Sequence, residues 1–513
     1  MRFNRCKLLV GCLSVLILSV SSPTTGKTTY IKSVGTLAST QAYNTANTLH
    51  LDTKAPGSED IPALLEHAGI PLEYFRPSIL PGDPSSPMSE GDYQWHTFFG
   101  STGIDPCSGI AVDDDGGVYI IGLGDLWYGP SGQAPLHYPE STYTDVVILK
   151  LDSTGAYQWH TYYGSPYWDF GIYIAVNSSG IYITIESFAS WNGPSGQAAL
   201  RAYSGEDDIA VLKLNTNGIY QWHTFYGTPS YESGGGIALD NNGGVYITGG
   251  SEFWTGPSDQ APLHNYSGQS DIFVVKLDSA GTYQWHTFYG ATSGEDGGDL
   301  IAIDGSGWIY ICGASDATWG GPSGQSPLHG HTGSGDFDIT VLKLDSLGAY
   351  QWHTFYGSTD YIQERGMAVN NNGDVYVLCW SDGSWNGPSG QEPLHAYSGK
   401  DADIAVFKLD AMGVYQWHTF YGGAYNDTGW GLASADNGVY IGFDSYYWSG
   451  PEGQPPLHAF SGSYDFALLK LDSAGTYQWH TFYGYTDYDE GHGIAIDSNG
   501  SIYITGSSDG TWN

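Results

Sequence analysis

Apolar and polar positions follow one pattern through residues 236–290. GIALD (236–240) is a short apolar run closed by Asn241-Asn242-Gly243, and VYIT (245–248) is a second. A Gly- and Pro-rich loop, WTGPSDQAPLHNYSG (254–268), leads to DIFVVKL (271–277). The turn DSAG (278–281) leads to TYQWHTFYG (282–290). Each run is β-branched or aromatic and is bounded by Gly, Asn or Asp, which predicts four strands, A to D, in an antiparallel meander. No useful length of the repeat carries helical periodicity. In strand D, Tyr283, Trp285, Thr287 and Tyr289 point one way and Gln284, His286 and Phe288 the other. Both faces therefore carry large groups that need cover. Sheets stacked face to face around an axis supply it, which predicts a β-propeller; an open solenoid would leave two end sheets bare.

The word YQWHTFYG, or a near copy, begins at Tyr93, Tyr157, Tyr220, Tyr283, Tyr350, Tyr415 and Tyr477, so the period is close to fixed. The repeat region opens on a lone strand D (92–100) and ends on strands A and B (493–496 and 502–505), with six complete units between. The expected fold is all-β: a seven-bladed β-propeller of four-stranded antiparallel blades over 92–513, closed by the N-terminal strand D with the C-terminal strands A and B. The last blade is incomplete, because Gly510–Asn513 stops where other units go on to strand C, and the sequence reads as cut short there. Residues 1–21 read as a signal peptide: MRFNRCK is basic and Leu8–Val20 is apolar but short for a bilayer. Leu9-Val10-Gly11-Cys12 is an alternative lipobox. Residues 22–91 lack the repeat and read as a leader and Pro-rich linker, with a short helix over 58–67.

GIAVDDDGGVYIIG (109–122) and DIAVLKLNTNGIYQWHTFYG (208–227), with their copies, resemble the bacterial SBBP-type β-propeller repeat and, more distantly, NHL-type blades. The resemblance covers about 92–513 and implies the propeller fold and a secreted or surface location, with no defined activity. The long GPSGQ-x-PLH loop between strands B and C departs from the usual repeat.

Composition narrows the partners. With 54 acidic against 16 basic residues the net charge is −38, a field that repels nucleic acid phosphates and anionic headgroups. No segment after the first apolar run is apolar enough to span a membrane. Acidity also serves solubility alone. Cys107, Cys312 and Cys379 are odd in number and irregularly placed, so they form neither a disulfide framework nor a zinc site.

The candidate chemistry lies on the rim shared by the D–A and B–C loops. An acid stands before most strands A: Asp105, Asp169, Glu232, Asp296, Asp427 and Asp489, with Ile362 in the fifth unit and Glu364 close by. A ring of these carboxylates near the channel mouth would attract a hard cation such as Ca²⁺; alternatively each caps its own loop. Each B–C loop carries a Trp (Trp127, Trp191, Trp254, Trp319, Trp385, Trp448) suited to stacking on sugar rings or to anchoring its own loop. Five of these loops also carry a His (His137, His264, His329, His395, His458), with Arg201 in the second. The His of the repeated word reads as a packed structural His. Lys150 and its equivalents read as structural ion-pair partners. The A–B turns, such as Asp113-Asp114-Asp115-Gly116, read as hairpins, being too short for calcium loops. A Gly-x-Ser-x-Gly match at 506–510 reads as a chance match.

Three functional readings follow. The first is a secreted or cell-surface, non-enzymatic binding or adhesion module for extracellular polysaccharide or a surface protein, which requires exposed Trp in the B–C loops. The second is a metal-dependent hydrolase or lyase at the channel mouth, for which Glu364-Arg365 is the one break in symmetry. The third is a purely structural surface repeat.

Overall fold

The computed structural model describes residues 15–20 and 93–508, apart from 102–104, 140–143, 333–336 and positions 359, 400, 424, 436 and 487. The chain divides into two units, 1–20 with 94–513, and 21–93. The expected helix over 58–67, the linker and the chain end at 509–513 lie outside the described residues.

Strands fall where the alternation places them. Strand C is buried along almost its whole length, as in Asp271–Leu277 and Asp338–Leu344. Continuous apolar strands of this kind belong to sheets covered on both faces. Strand D buries only its second half, as in Tyr283–Tyr289. Sheets are antiparallel in the order A-B-C-D. The A strands contact one another from blade to blade in a closed cycle, from the strand at 107–112 round to the one at 489–496 and back. Strand A is thus innermost and strand D outermost, and the D–A and B–C connections share one rim. Each hydrophobic core sits between two neighbouring sheets: Tyr182, Val211, Trp222 and Tyr226 of one blade pack with Val245, Trp254, Phe273 and Phe288 of the next. Each such fully buried side chain contributes about 1.5–3 kcal/mol of transfer free energy, which a lone sheet forfeits on both faces.

The blade count is a correction. The sequence predicts seven blades of four strands; the repeat builds six, over 107–163, 169–226, 233–289, 296–356, 362–421 and 428–483. Between the sixth and the first lies a composite sheet. It holds Asp489–Ile496, Ile502–Ser508, the strand Val15–Val20 and Tyr93–Trp95 at its edge. The expected closure of strand D directly on strands A and B is corrected too, because Val15–Val20 takes the place of strand C between them. It runs antiparallel to the C-terminal strand, with Val15 opposite Ser507 and Val20 opposite Ile502. A strand B without its strand C offers a row of unpaired backbone groups, and a β-branched apolar segment fits it. The same residues form the second half of the run read as a secretory signal.

Every strand A carries a bulge at one place: Cys107/Gly109, Gly171/Tyr173, Gly234/Ile237, Gly298/Leu300, Glu364/Gly366, Gly429/Gly431 and Gly491/Gly493. A bulge re-aims a side chain. The residues there vary more than elsewhere in the repeat, with Asp299, Arg365, Trp430 and His492 in successive sheets.

Candidate functional site: the loop rim

The B–C loop is held by strand D of its own blade. The Trp254 ring stacks on His286 at 4.2 Å between centroids, and Trp127, Trp191, Trp319, Trp385 and Trp448 stack on the equivalent His at 3.8–4.2 Å. His286 uses both ring nitrogens: Nδ1 is 2.7 Å from the Tyr283 hydroxyl, and Nε2 is 3.2 Å from the Trp254 carbonyl. A carbonyl only accepts, so Nε2 carries the proton and Nδ1 accepts from Tyr283. Burial pushes the imidazole pKa down to about 4, only partly offset by the Trp254 carbonyl bond. The His is a neutral clamp, as the sequence suggested. The loop histidines pin the other end of the loop: His264 Nδ1 lies 2.7 Å from the Phe288 carbonyl, and its ring stacks on Tyr289 at 4.9 Å.

These contacts consume the indoles. All six Trp are buried, with 5–7% of their surface exposed. They do not present a face to a sugar, so the expectation of exposed Trp in the B–C loops is corrected. A long Gly- and Pro-rich loop needs an anchor, and Trp on His supplies it.

The carboxylates do not form one ring either. Asp105, Asp169, Glu232, Asp296, Asp427 and Asp489 are each buried, and each is turned into its own D–A loop. Glu232 Oε1 accepts from the Thr228 N–H (3.0 Å) and hydroxyl (2.8 Å) and from Ser251 (3.1 Å). Asp296 accepts from the Ala291 N–H at 2.7 Å and from the Ser315 hydroxyl. Asp427 accepts from the Gly423 N–H, Asp489 from the Tyr485 N–H and Asp105 from Ser101. Among the described residues no group of three or more His, Cys, Asp or Glu is arranged to hold a metal. The neighbour of the other five acids, all but Asp105, is instead the Asp that begins strand C of the preceding blade. Burial first, then that neighbour, pushes Asp169, Glu232, Asp296 and Asp427 up to about 7.

The opposite rim is structural. Asp113 Oδ1 accepts from the Asp115 and Gly117 N–H groups and closes a hairpin turn. Lys213 donates to the Ser279 carbonyl of the next blade at 2.7 Å, with its ammonium 4.8 Å above Tyr182. The other strand-C lysines at 150, 276, 343 and 408 repeat that inter-blade bond. Two of these lysines also form ion pairs, Lys276 with Asp240 and Lys408 with Asp374.

The sequence reading missed the aromatics that are exposed. The D–A loops present Tyr167, Trp168, Tyr231 (67% exposed), Tyr361, Tyr425, Tyr485 and Tyr488; the B–C loops add Tyr128, Tyr138, Phe253, Tyr446 and Tyr447. Around the sixth blade three of them, Tyr425, Tyr446 and Tyr488, line up with the buried Tyr464. Centroids are 4.9 Å apart for Tyr425–Tyr446, 5.0 Å for Tyr446–Tyr464 and 4.9 Å for Tyr464–Tyr488. The signal was present: an aromatic directly precedes the strand-A acid or its replacement in Trp168-Asp169, Tyr231-Glu232, Tyr361-Ile362 and Tyr488-Asp489.

On the inner strands, the fifth blade breaks the pattern as expected. Ile362 replaces the acid, and Glu364 is buried against Asp299 of the fourth blade. Burial and Asp299 push the Glu364 carboxyl well up. Asp299, Glu364 and Arg365 all act on the Tyr173 hydroxyl of the second blade, whose pKa burial raises.

Residues 478–511 match the SBBP family model, described as a β-propeller repeat. A stretch of 192 residues, 36% of this chain, is 29% identical to the regulatory protein FlaEY of Caulobacter vibrioides and covers 20% of that protein. An uncharacterized WD repeat-containing protein of Acanthamoeba polyphaga mimivirus is 21% identical over 460 residues, 74% of this chain and 32% of its own. The chain thus spans a third or less of the curated relatives it matches. Among solved structures, a PL25 polysaccharide lyase, an ulvan lyase, aligns at TM-score 0.42 and 10% identity over 78% of this chain and 91% of its own. The Neurospora crassa Pan2 WD40 domain aligns at 0.39 and 8% over 80% and 91%. With a repeat that matches the SBBP model and sheets arranged as blades about an axis, this chain is a β-propeller repeat protein.

Proposed function

We propose that the protein is a secreted or cell-surface binding module that engages an extracellular glycan through the rim of D–A and B–C loops. With the B–C loop Trp buried, the exposed Tyr425, Tyr446 and Tyr488, grouped around the buried Tyr464, carry this reading together with exposed aromatics from the neighbouring loops. Tyr rings offer an apolar face and a hydroxyl, which suits the stacked and hydrogen-bonded contacts that sugars make. Equivalent loops on several blades give avidity toward a polymer. A net charge of −38 favours neutral over anionic polysaccharides. On a glycan array the chain binds neutral polysaccharide, and Tyr425→Ala with Tyr488→Ala weakens binding at least tenfold with the fold intact. Unchanged binding in the double variant overturns this reading, and binding only to proteins assigns the rim to a surface protein instead.

A second reading, a hydrolase or lyase, rests on the Glu364–Asp299 pair beside Tyr173 and Arg365 on the inner strands. A carboxyl whose pKa is pushed up by burial and a second carboxylate suits general-acid chemistry. If it acts, polysaccharide is cleaved by the wild type and not by Glu364→Gln.

A further inference from the structure

The last Gly of the repeated word has a reason outside its own blade. Gly227 has an ordinary backbone, yet a Cβ there would lie 2.3 Å from Glu232 Oε2 and 2.5 Å from Asp208 Oδ1. At Gly164, Gly290, Gly422 and Gly484 the same point lies within 3.0 Å of two carboxylate oxygens: Asp169 and Asp145, Asp296 and Asp271, Asp427 and Asp403, Asp489 and Asp465. Five junctions thus bring together a strand-C Asp and the acid that opens the next strand A.

In three of the pairs, those of Asp208, Asp271 and Asp465, the outer oxygen of the strand-C Asp is taken. Asp208 Oδ2 accepts from the Ser204 N–H and hydroxyl, and Asp271 Oδ2 from those of Ser267. The inner oxygens of these three strand-C Asp, and of Glu232, are different, whereas those of Asp169, Asp296, Asp427 and Asp489 each accept a backbone N–H and Asp403 Oδ1 accepts from the Ser398 hydroxyl. Asp208 Oδ1, Glu232 Oε2, Asp271 Oδ1 and Asp465 Oδ1 are fully buried and accept no hydrogen bond from any described residue. Their residues are 0–4% exposed. Arg201 acts on Asp208, His264 on Asp271, His395 on Asp403 and His458 on Asp465. None forms an ion pair with these acids among the described residues, where the two ion pairs lie on the lysine rim. Two buried like charges facing each other across a few ångströms need a counter-charge.

We propose that the three junctions of Asp208 with Glu232, Asp271 with Asp296 and Asp465 with Asp489 are each a binding site for a divalent, oxygen-seeking cation of the Ca²⁺ class, bridged by the strand-C Asp and the strand-A acid and completed by the adjoining Ser or Thr hydroxyls and water. All-oxygen donor sets select hard cations. The arrangement differs from one shared ring: the ions are spread around the rim and at these junctions fasten the B–C loop to the following D–A loop. The fifth unit is a built-in control, because Asp338 faces Gly357 without a second carboxylate, Ile362 standing in its place.

The test uses the full chain stripped with EGTA at pH 7.5 and titrated with CaCl₂, and separately with Tb³⁺ read by sensitised luminescence. The expected result is saturable binding with about three ions per chain and a rise in melting temperature with Ca²⁺. Asp208→Asn with Glu232→Gln removes one ion, and Asp403→Asn with Asp427→Asn, at a junction whose inner oxygens are hydrogen-bonded, removes none. Saturable binding that the first variant leaves unchanged, or that the second reduces, overturns the assignment. So does the lack of any binding or thermal shift at millimolar Ca²⁺ in the wild type, which would leave each pair sharing a proton.

Discussion

Replacing His286 with Phe removes the clamp between strand D and the B–C loop of the third blade while keeping an aromatic ring against Trp254. At pH 7.5 the buried Trp254 carbonyl loses the Nε2–H donor, and a buried unsatisfied acceptor costs about 1–3 kcal/mol. The pH dependence is the sharper part. The folded-state pKa of His286 is pushed down to about 4 from the ordinary 6.5. Below pH 6.5 the unfolded chain therefore takes up a proton that the folded chain refuses until about pH 4. Stability is lost as the pH falls through that window, by about 1.4 kcal/mol per unit, or about 3 kcal/mol in all for this one residue. The variant lacks this liability. The raised carboxyls push the other way in both proteins, so they cancel in the difference. Urea denaturation of the two proteins side by side from pH 7.5 to 4.5 measures it. The wild type is more stable at pH 7.5, and the gap closes or inverts by pH 4.5. A gap that stays constant across that range refutes the neutral-clamp reasoning.

Further consequences are as direct. Trp254→Ala leaves a hole bounded by His286, Phe273 and Phe288 and lowers stability by about 3–5 kcal/mol, measured by denaturant titration. Gly227→Ala drives a methyl into two carboxylate oxygens and costs about 1–3 kcal/mol in the same assay. Lys213→Met removes the inter-blade bond to the Ser279 carbonyl and the contact over Tyr182 and costs about 1–3 kcal/mol, with little dependence on salt. Deleting residues 1–21 removes the partner of Ile502–Ser508; hydrogen exchange there rises while the third blade stays protected.

Much of this fold is legible in the sequence because the repeat repeats its physics. Alternation in YQWHTFYG marks a sheet with two apolar faces, the Asn, Asp and Gly of the A–B turns mark hairpins, and a mid-strand His without a neighbouring nucleophile marks a packed group. What spacing along the chain does not carry is which neighbour a residue meets. Trp254 looks the same in sequence whether it faces solvent or His286, which lies thirty-two positions on. Glu232 and Asp208 belong to different blades, and only the ring brings them to one glycine. Val15–Val20 has the composition of a signal segment, and nothing in it spells strand C of a sheet whose other members are nearly eighty and nearly five hundred residues away. The exposed tyrosines were legible, as the aromatic before the strand-A acid, but a conspicuous Trp in a long loop drew the reading away from them.

The central claim is that these sheets exist only by covering one another in a closed ring. Spin labels on the exposed A–B turns at Asp114 and Asn499, in the first blade and the composite sheet, test it in a single distance measurement. Sheets stack about 10 Å apart, so closure predicts a label separation of roughly 10–25 Å. An open stack places the two turns about 60 Å apart, and a distance near that value contradicts the ring.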